Sequence, residues 1–234
     1  PNHLKEAGKP IGHQNRYLAV GNYETIDDVF NNAQTGSINS VAPGQVVPGD
    51  FIYIDFDSNG ILNGQDKVAV DELNYPLHTY GLNLGFDWKG LSFSAMFYAP
   101  TGVYKLVNSV YSASFKSGKI NAQPDVINAW TPETANTSGV RAPALHLTND
   151  GAFNGTESTY RYQNFSYLRL KTMELGYNLP KKWLKTVGLK SLQVYVTGNN
   201  LLTWWGGDDR IDPEGEQAKY PILRSFTSGV RVSF

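Results

Sequence analysis

Between Tyr80 and Trp88, large apolar side chains alternate with small or polar ones without a break. Tyr80, Leu82, Leu84, Phe86 and Trp88 share one face of an extended chain, and Gly81, Asn83, Gly85 and Asp87 share the other, because strand side chains alternate with period two. A tight-turn sequence, Asp87-Trp88-Lys89-Gly90, follows, and Leu91, Phe93, Ala95 and Phe97 return with Ser92, Ser94 and Met96 between them. This predicts a hairpin over 80–99. A third strand runs from Leu168-Arg169-Leu170 to Leu175-Gly176-Tyr177, and its alternation slips near Thr172-Met173, the mark of a β-bulge. A fourth sets Leu192, Val194 and Val196 against Gln193, Tyr195 and Thr197. The last sets Phe226, Ser228, Val230, Val232 and Phe234 against Thr227, Gly229, Arg231 and Ser233.

The connections are of two kinds. Trp88-Lys89 is short, and 178–191 predicts a turn with one helical turn carrying Lys181, Lys182, Lys185 and Lys190. Residues 100–164 are long, and 204–219 reads as a polar loop opening on Trp204-Trp205. If Phe234 ends at the periplasmic side, every short connection falls inside and every long one outside, as outer-membrane barrels require. Tyr98, Trp204, Trp205 and Tyr220 then lie near the outer rim, and Trp88, Tyr177, Trp183 and Phe234 near the inner one, as two aromatic girdles. The stretch 80–88 matches the roughly 9–11 residues of a tilted membrane strand. The expected fold is all-β: an antiparallel transmembrane β-barrel segment with long extracellular loops. The smallest such barrels use about 8 strands, so upstream partner strands are required, since an open edge in hydrocarbon leaves backbone groups unpaired. Periodicity also fits a soluble β-sandwich whose apolar face is core.

Composition narrows function more than fold. With 20 Lys+Arg against 21 Asp+Glu the net charge is -1, which gives no footprint for nucleic acid. Absence of cysteine removes disulfide frameworks and thiolate metal sites. A mean hydropathy of -0.36 excludes a helical span but not a barrel, where every second residue faces lipid. His3, His13, His78 and His146 form no HExxH, and GxSxG, Walker and GxGxxG motifs are missing, so the expectation is that the chain is not an enzyme. The chain opens at Pro1 without a signal peptide, and a piece of a longer protein is expected.

The sharpest local motif is 55–66, Asp-Phe-Asp-Ser-Asn-Gly-Ile-Leu-Asn-Gly-Gln-Asp. Oxygen side chains recur at alternate positions, Gly60 permits a sharp turn and Asp66 closes the loop, which is EF-hand-type calcium spacing. Asp55, Asp57, Asn59, the Ile61 carbonyl and Asp66 are the candidate ligands of a structural Ca²⁺. An Asx-rich turn without metal fits the same residues. The preceding Phe51-Ile52-Tyr53-Ile54 reads as extended rather than helical.

Together these pieces resemble the carboxy-terminal part of SusC/RagA-type TonB-dependent outer-membrane transporters of Bacteroidetes. The resemblance is carried by Gly8-Lys9-Pro10-Ile11-Gly12, by Pro48-Gly49-Asp50-Phe51-Ile52-Tyr53 with the aspartate loop, and by Tyr80-Gly81-Leu82-Asn83-Leu84-Gly85-Phe86. It continues through Ala129-Trp130-Thr131-Pro132-Glu133, Tyr167-Leu168-Arg169-Leu170 and Leu175-Gly176-Tyr177-Asn178-Leu179-Pro180. Gly198-Asn199-Asn200-Leu201-Leu202-Thr203-Trp204, Asp212-Pro213-Glu214 and Phe234 complete it. Asn59 and Asn63 stand where the family carries acidic residues.

The resemblance implies one wall of a barrel of about 22 strands in the bacterial outer membrane, importing oligosaccharides or peptides. It also implies a plug, TonB acting through an upstream segment, and a SusD-like lipoprotein lid. Residues 1–75 are expected as an extracellular loop region around 55–66 with a possible upstream strand, and 76–234 as barrel strands and outer loops. Trp204, Trp205, Asp208 and Arg210 are the candidate ligand contacts. The tryptophans can stack on a sugar ring or serve the girdle and loop packing, and the charged 208–214 segment can bind ligand or be solvated. Trp130 is expected to anchor its loop. Arg169, Lys171 and Glu174 are expected on the lumen face, shaping a polar passage or pairing with one another or with the plug.

Overall fold

A computed structural model of the protein describes residues 4, 7–32, 46–107, 127, 129–135, 142–145, 154–185, 188–215, 217 and 219–234. His3 and His146 lie outside the described residues. Two compact units are present, Pro1–Asn74 with Lys105–Gln163, and Tyr75–Tyr104 with Asn164–Phe234.

The first unit carries strands β1 (Gln14–Arg16), β2 (Ala19–Asn22), β3 (Phe51–Tyr53) and β4 (Val68–Val70) and helix α1 (Ile26–Asn32). β1 pairs antiparallel with β4, and β2 with β3. Helix α1 starts on a reciprocal cap: the Asp28 amide donates to Thr25 Oγ1 at 3.0 Å, and the Thr25 amide donates to the Asp28 carboxylate at 3.2 Å. Alternation in β3 turns Phe51 and Tyr53 inward, where they form a core cluster with Tyr17 and Leu62.

The second unit is built on one five-stranded sheet. β5 (His78–Trp88) and β6 (Leu91–Thr101) form a hairpin; β7 (Tyr104–Leu106) and β8 (Tyr162–Asn164), most of whose residues belong to the first unit, pair as a separate two-stranded sheet, and β9 (Tyr167–Asn178) follows. Helix α2 (Lys181–Leu184) then leads to β10 (Ser191–Trp205) and β11 (Ser225–Ser233). The five-stranded order is β11-β10-β9-β6-β5, and each pairing is antiparallel. Lys89 and Gly90 close the hairpin at φ 49° and 92°, the pair of positive values whose twist matches the flanking strands.

Register sorts this sheet into apolar and polar rows. Phe86, Phe93, Leu175 and Val196 are successive partners across it, as are Trp88, Leu91, Tyr177, Val194 and Val230. The opposite face carries Gly85, Ser94, Glu174, Thr197 and Thr227 in one row, and Asn83, Met96, Thr172, Asn199 and Ser225 in the next. The apolar face is open: Leu82 is 55% exposed, Phe86 53%, Val194 45% and Val230 57%. In a sandwich these positions would be core. Among the described residues no helix is long and apolar enough to cross a membrane, which says nothing about crossing by strands.

The bulge expected near Thr172-Met173 lies one residue earlier. Lys171 is the extra residue between Leu170 and Thr172 against β6, and Asn200-Leu201 face it from β10, with Asn200 at φ 53°. The single extra residue changes the parity of β9, whose apolar-face residues pass from Leu168 and Leu170 to Met173, Leu175 and Tyr177, while the two extra residues of β10 leave its parity unchanged, so that Leu202 and Trp204 face the same way as Val194 and Val196. Trp204 and Trp205 are therefore strand residues, paired with Leu168 and Tyr167, and not the start of the outer loop.

Candidate functional site

The aspartate loop is built by its own backbone. Residues 55–60 wrap around Asp55, whose carboxylate accepts from the Gly60 amide at 2.7 Å and the Asn59 amide at 3.3 Å. Gly60 at φ 78° supplies the left-handed turn. Asp66 is buried; it accepts from the Phe56 amide at 3.0 Å and from the Asn63 amide at 2.7 Å. The structure brings Asp55, Asp57 and Asp66 together, with one carboxylate oxygen from each lying within 4.8 Å of the others. Oxygens bound to one Ca²⁺ at 2.3–2.6 Å can stand about 5 Å apart, so these three fit a shared cation. Asn59 Oδ1 accepts from the Ile61 amide at 2.7 Å, and the Ile61 carbonyl accepts from Asn63 Nδ2 at 3.1 Å. Each oxygen keeps a second lone pair. Desolvation pushes the Asp55 carboxyl upward, but the hydrogen bonds from Gly60 and Asn59 outweigh it and hold the group below the ordinary carboxylate range. The Asp55 carboxylate is thus anionic at neutral pH. A strand precedes this loop and a 3-10 turn, Gly64–Asp66, closes it, so the paired helices of an EF-hand are not its frame.

The segment preceding β3 holds a second constellation. Gly49 sits at φ 93° with the Trp130 ring against it: a Cβ there would lie 2.5 Å from ring carbon Cε3. Trp130 Nε1 donates to Glu24 at 3.3 Å, and the Ala144 amide donates to the Gly49 carbonyl at 3.0 Å. Trp130 is a loop anchor in this unit. Asp50 is buried and accepts from Asn154 Nδ2 at 2.7 Å.

On the polar face of the five-stranded sheet the charges are paired. Arg169 is 2% exposed and donates to Asp212 and Glu214, each at 2.8 Å, and to Thr203 Oγ1 at 3.0 Å. Lys171 also reaches Glu214. Glu174 accepts from Arg231 at 2.8 Å and from Thr197 at 3.0 Å, and Arg231 also donates to Gln193 at 2.8 Å. Sequence reasoning named the two charge sets, on β9 and in 208–214, but not the clasp between them, because the Arg169–Asp212 separation leaves no periodic trace. Burial raises the Asp212 carboxyl, but Arg169 and the Glu214 and Gly215 amides more than offset it, so it lies below its ordinary value.

Of the four candidate ligand contacts, Trp204 is half exposed on the apolar face, beside Leu202 and Leu168 in register. Trp205 faces the other way: its Nε1 donates to the Asn164 carbonyl at 3.1 Å and its ring lies 5.1 Å from Phe165. Asp208 and Arg210 pair with each other in the connection between β10 and β11, and the Arg210 side chain holds the Asp208 carboxyl down. The structure thus sends the tryptophans to opposite faces and joins the two charges into one ion pair.

No family model matches the chain. Two curated proteins of Formosa agariphila are similar to it. TonB-dependent receptor P3 is 30% identical over 206 residues, covering 82% of this chain, and TonB-dependent receptor P26 is 31% identical over 210 residues, covering 80%. The chain spans 20% of the length of each. Both are named receptors, not enzymes. Solved structures agree in fold: the RagAB peptide importer in its open-open state matches 95% of this chain with a TM-score of 0.65 at 23% identity. Its closed-closed state matches with a TM-score of 0.63 at 24% identity. The chain covers 22% and 23% of those two chains. By its likeness to these two relatives the chain belongs to the TonB-dependent receptors, and in fold it is a partial barrel segment like the matching part of the RagAB importer structures.

Proposed function

We propose that this chain forms part of the wall and the outer loops of an outer-membrane importer. The observation that carries the reading is the sorting of one sheet into exposed apolar rows and paired polar rows. The apolar rows meet acyl chains, and the polar rows line the lumen. Upstream strands pair with the free edges of β5 and β11, a SusD-like lipoprotein caps the outer mouth, and TonB supplies energy through a segment upstream. The imported ligand is a peptide or an oligosaccharide; the solved neighbours named as peptide importers support the first. The exposed Asp208–Arg210 pair is the ligand contact assigned to this chain, with Trp205 shaping the base of that loop and Trp204 serving the girdle.

The aspartate loop takes Ca²⁺ through Asp55, Asp57, Asn59, the Ile61 carbonyl and Asp66, and the ion acts structurally, locking the loop that follows β3. Calorimetric titration of the full-length protein tests this: no binding at millimolar calcium, the range of weak extracellular sites, removes the ion. For the wall itself, the full-length protein is expected to fractionate with outer membranes and to need detergent for extraction. Release in plain buffer as a monodisperse species would refute it.

A further inference from the structure

The end of the sheet with the short connections carries a charge pattern that importing does not use. Lys89 in the hairpin turn and Lys181, Lys182, Lys185 and Lys190 in the α2 connection are all exposed. Neither connection contains a carboxylate, and the one nearest to them in sequence, Asp87, lies on the polar face of β5. Among the described residues none of these lysines makes an ion pair. The connection at the opposite end is different in kind: it carries Asp208, Asp209, Asp212 and Glu214.

Backbone hydrogen bonds set the lysines in one row. The Asn178 amide donates to the Gly90 carbonyl at 2.7 Å, the Leu179 amide to Leu192 at 2.8 Å, and the Lys190 amide to Ser233 at 2.8 Å. The hairpin turn, the α2 connection and the end of β11 are therefore lateral neighbours, about 4.8 Å apart per strand. α2 is held in place by Leu184, which is 4% exposed, while its neighbour Trp183 is 64% exposed. Lys89 lies over the Trp88 ring, with its ammonium 4.9 Å from the centroid, and Trp88 is 63% exposed at the end of the apolar face. Exposed tryptophans beside unpaired lysines, flush with an apolar wall, are the chemistry of a membrane interface.

We propose that this rim is a docking surface for anionic phospholipid headgroups, those of the leaflet facing the short connections. The inference rests on the wall reading above. Continuity with the apolar face favours lipid over an acidic protein, because a headgroup bound there keeps its acyl chains against Trp88, Tyr177 and Val194. The Coulomb attraction is summed over five cations within a few Debye lengths, about 10 Å each at 0.1 M salt.

The test uses the full-length protein, upstream strands included, in phosphatidylcholine vesicles doped with brominated phosphatidylglycerol or brominated phosphatidylcholine. The difference in fluorescence quenching between the protein and its Trp183→Phe variant reports the lipid beside residue 183. Expected is a preference for phosphatidylglycerol of at least about threefold at low ionic strength, lost in 0.5 M salt and in the Lys181→Gln/Lys182→Gln/Lys185→Gln/Lys190→Gln variant. Equal quenching by both lipids in properly inserted protein overturns this inference and leaves the wall reading standing. Failure to insert overturns both. An unchanged lipid preference in the lysine variant, with ligand uptake lost, would reassign the lysines to a protein partner.

Discussion

Removing the Arg169 guanidinium should free the connection between β10 and β11 while leaving the sheet intact. Arg169→Met keeps the apolar stem and deletes the charge that holds Asp212 and Glu214, both at 2.8 Å. Breaking a buried ion pair costs about 3–5 kcal/mol, chiefly from the partner left stranded. Glu214 is 28% exposed and retains Lys171, whereas Asp212 is 11% exposed. The lower end of that range, about 3 kcal/mol, therefore applies. Asp212 in turn accepts from the amides of Glu214, Gly215 and Ile222, at 2.9, 3.2 and 3.3 Å. Hydrogen exchange at these three amides, read by mass spectrometry on the full-length protein, should accelerate about 150-fold, since each 1.4 kcal/mol is a factor of ten. The amides of Val194 and Val196 should keep their protection. Arg169→Lys should fall between, because an ammonium cannot replace the planar fork. Exchange changed by less than about threefold, a difference of under 1 kcal/mol, or raised equally throughout the sheet, would refute the clasp.

The Asp212 carboxyl also sets a pH window. Its folded value lies below its unfolded one, so the clasp is at full strength above the ordinary carboxylate range and is lost as pH falls through the depressed value; exchange at Gly215 should accelerate only in acid. Gly229 faces Tyr195, and a Cβ there would meet the tyrosine hydroxyl oxygen at 2.6 Å. Gly229→Val should displace that ring from Arg231 and lower stability by about 1–3 kcal/mol, read as a lower unfolding temperature in detergent. Gly49→Ala meets both a positive φ and the Trp130 ring, and should cost about 3 kcal/mol, seen as protease sensitivity in the 129–145 segment. Asp66→Ala should destabilise the aspartate loop by about 2 kcal/mol even without calcium, because the Phe56 and Asn63 amides lose the buried carboxylate that accepts from them. Asp57→Asn should weaken calcium binding without that loss of stability, and equal effects of the two in calcium-free buffer would contradict the division of roles.

The sheet was legible because its strands are long enough for period-two alternation to accumulate: 78–88 and 225–233 declare themselves residue by residue. Where strands run only three residues, as in Gln14–Arg16 and Val68–Val70, no periodicity can build up, and apart from the extended Phe51-Ile52-Tyr53-Ile54 the first unit reads as loop. Helix α1 did leave a signal, the Thr25-Ile26-Asp27-Asp28 capping box, which is too short to stand out without a longer apolar stripe behind it. The irregularity at Asn200-Leu201 hid the second half of β10 by interrupting its alternation, although Leu202 and Trp204 face the same way as Val194 and Val196. The aspartate loop was visible because its oxygen-bearing side chains lie within one short stretch of chain, 55–66. The Arg169 clasp and the seat of Trp130 on Gly49 join distant segments, and only the folded backbone brings them together.

Nitroxide labels on single cysteines test the wall most directly, and this chain supplies no native thiol to interfere. Labels would replace Leu82, Val194 and Val230 on the apolar face, and Asn83, Gln193 and Thr227 on the polar one, in full-length protein reconstituted into vesicles. The first three are expected to collide with dissolved oxygen and be shielded from a water-soluble nickel complex, and the second three to show the reverse. Equal nickel accessibility on both faces, or shielding of all six from both reagents, would contradict the account.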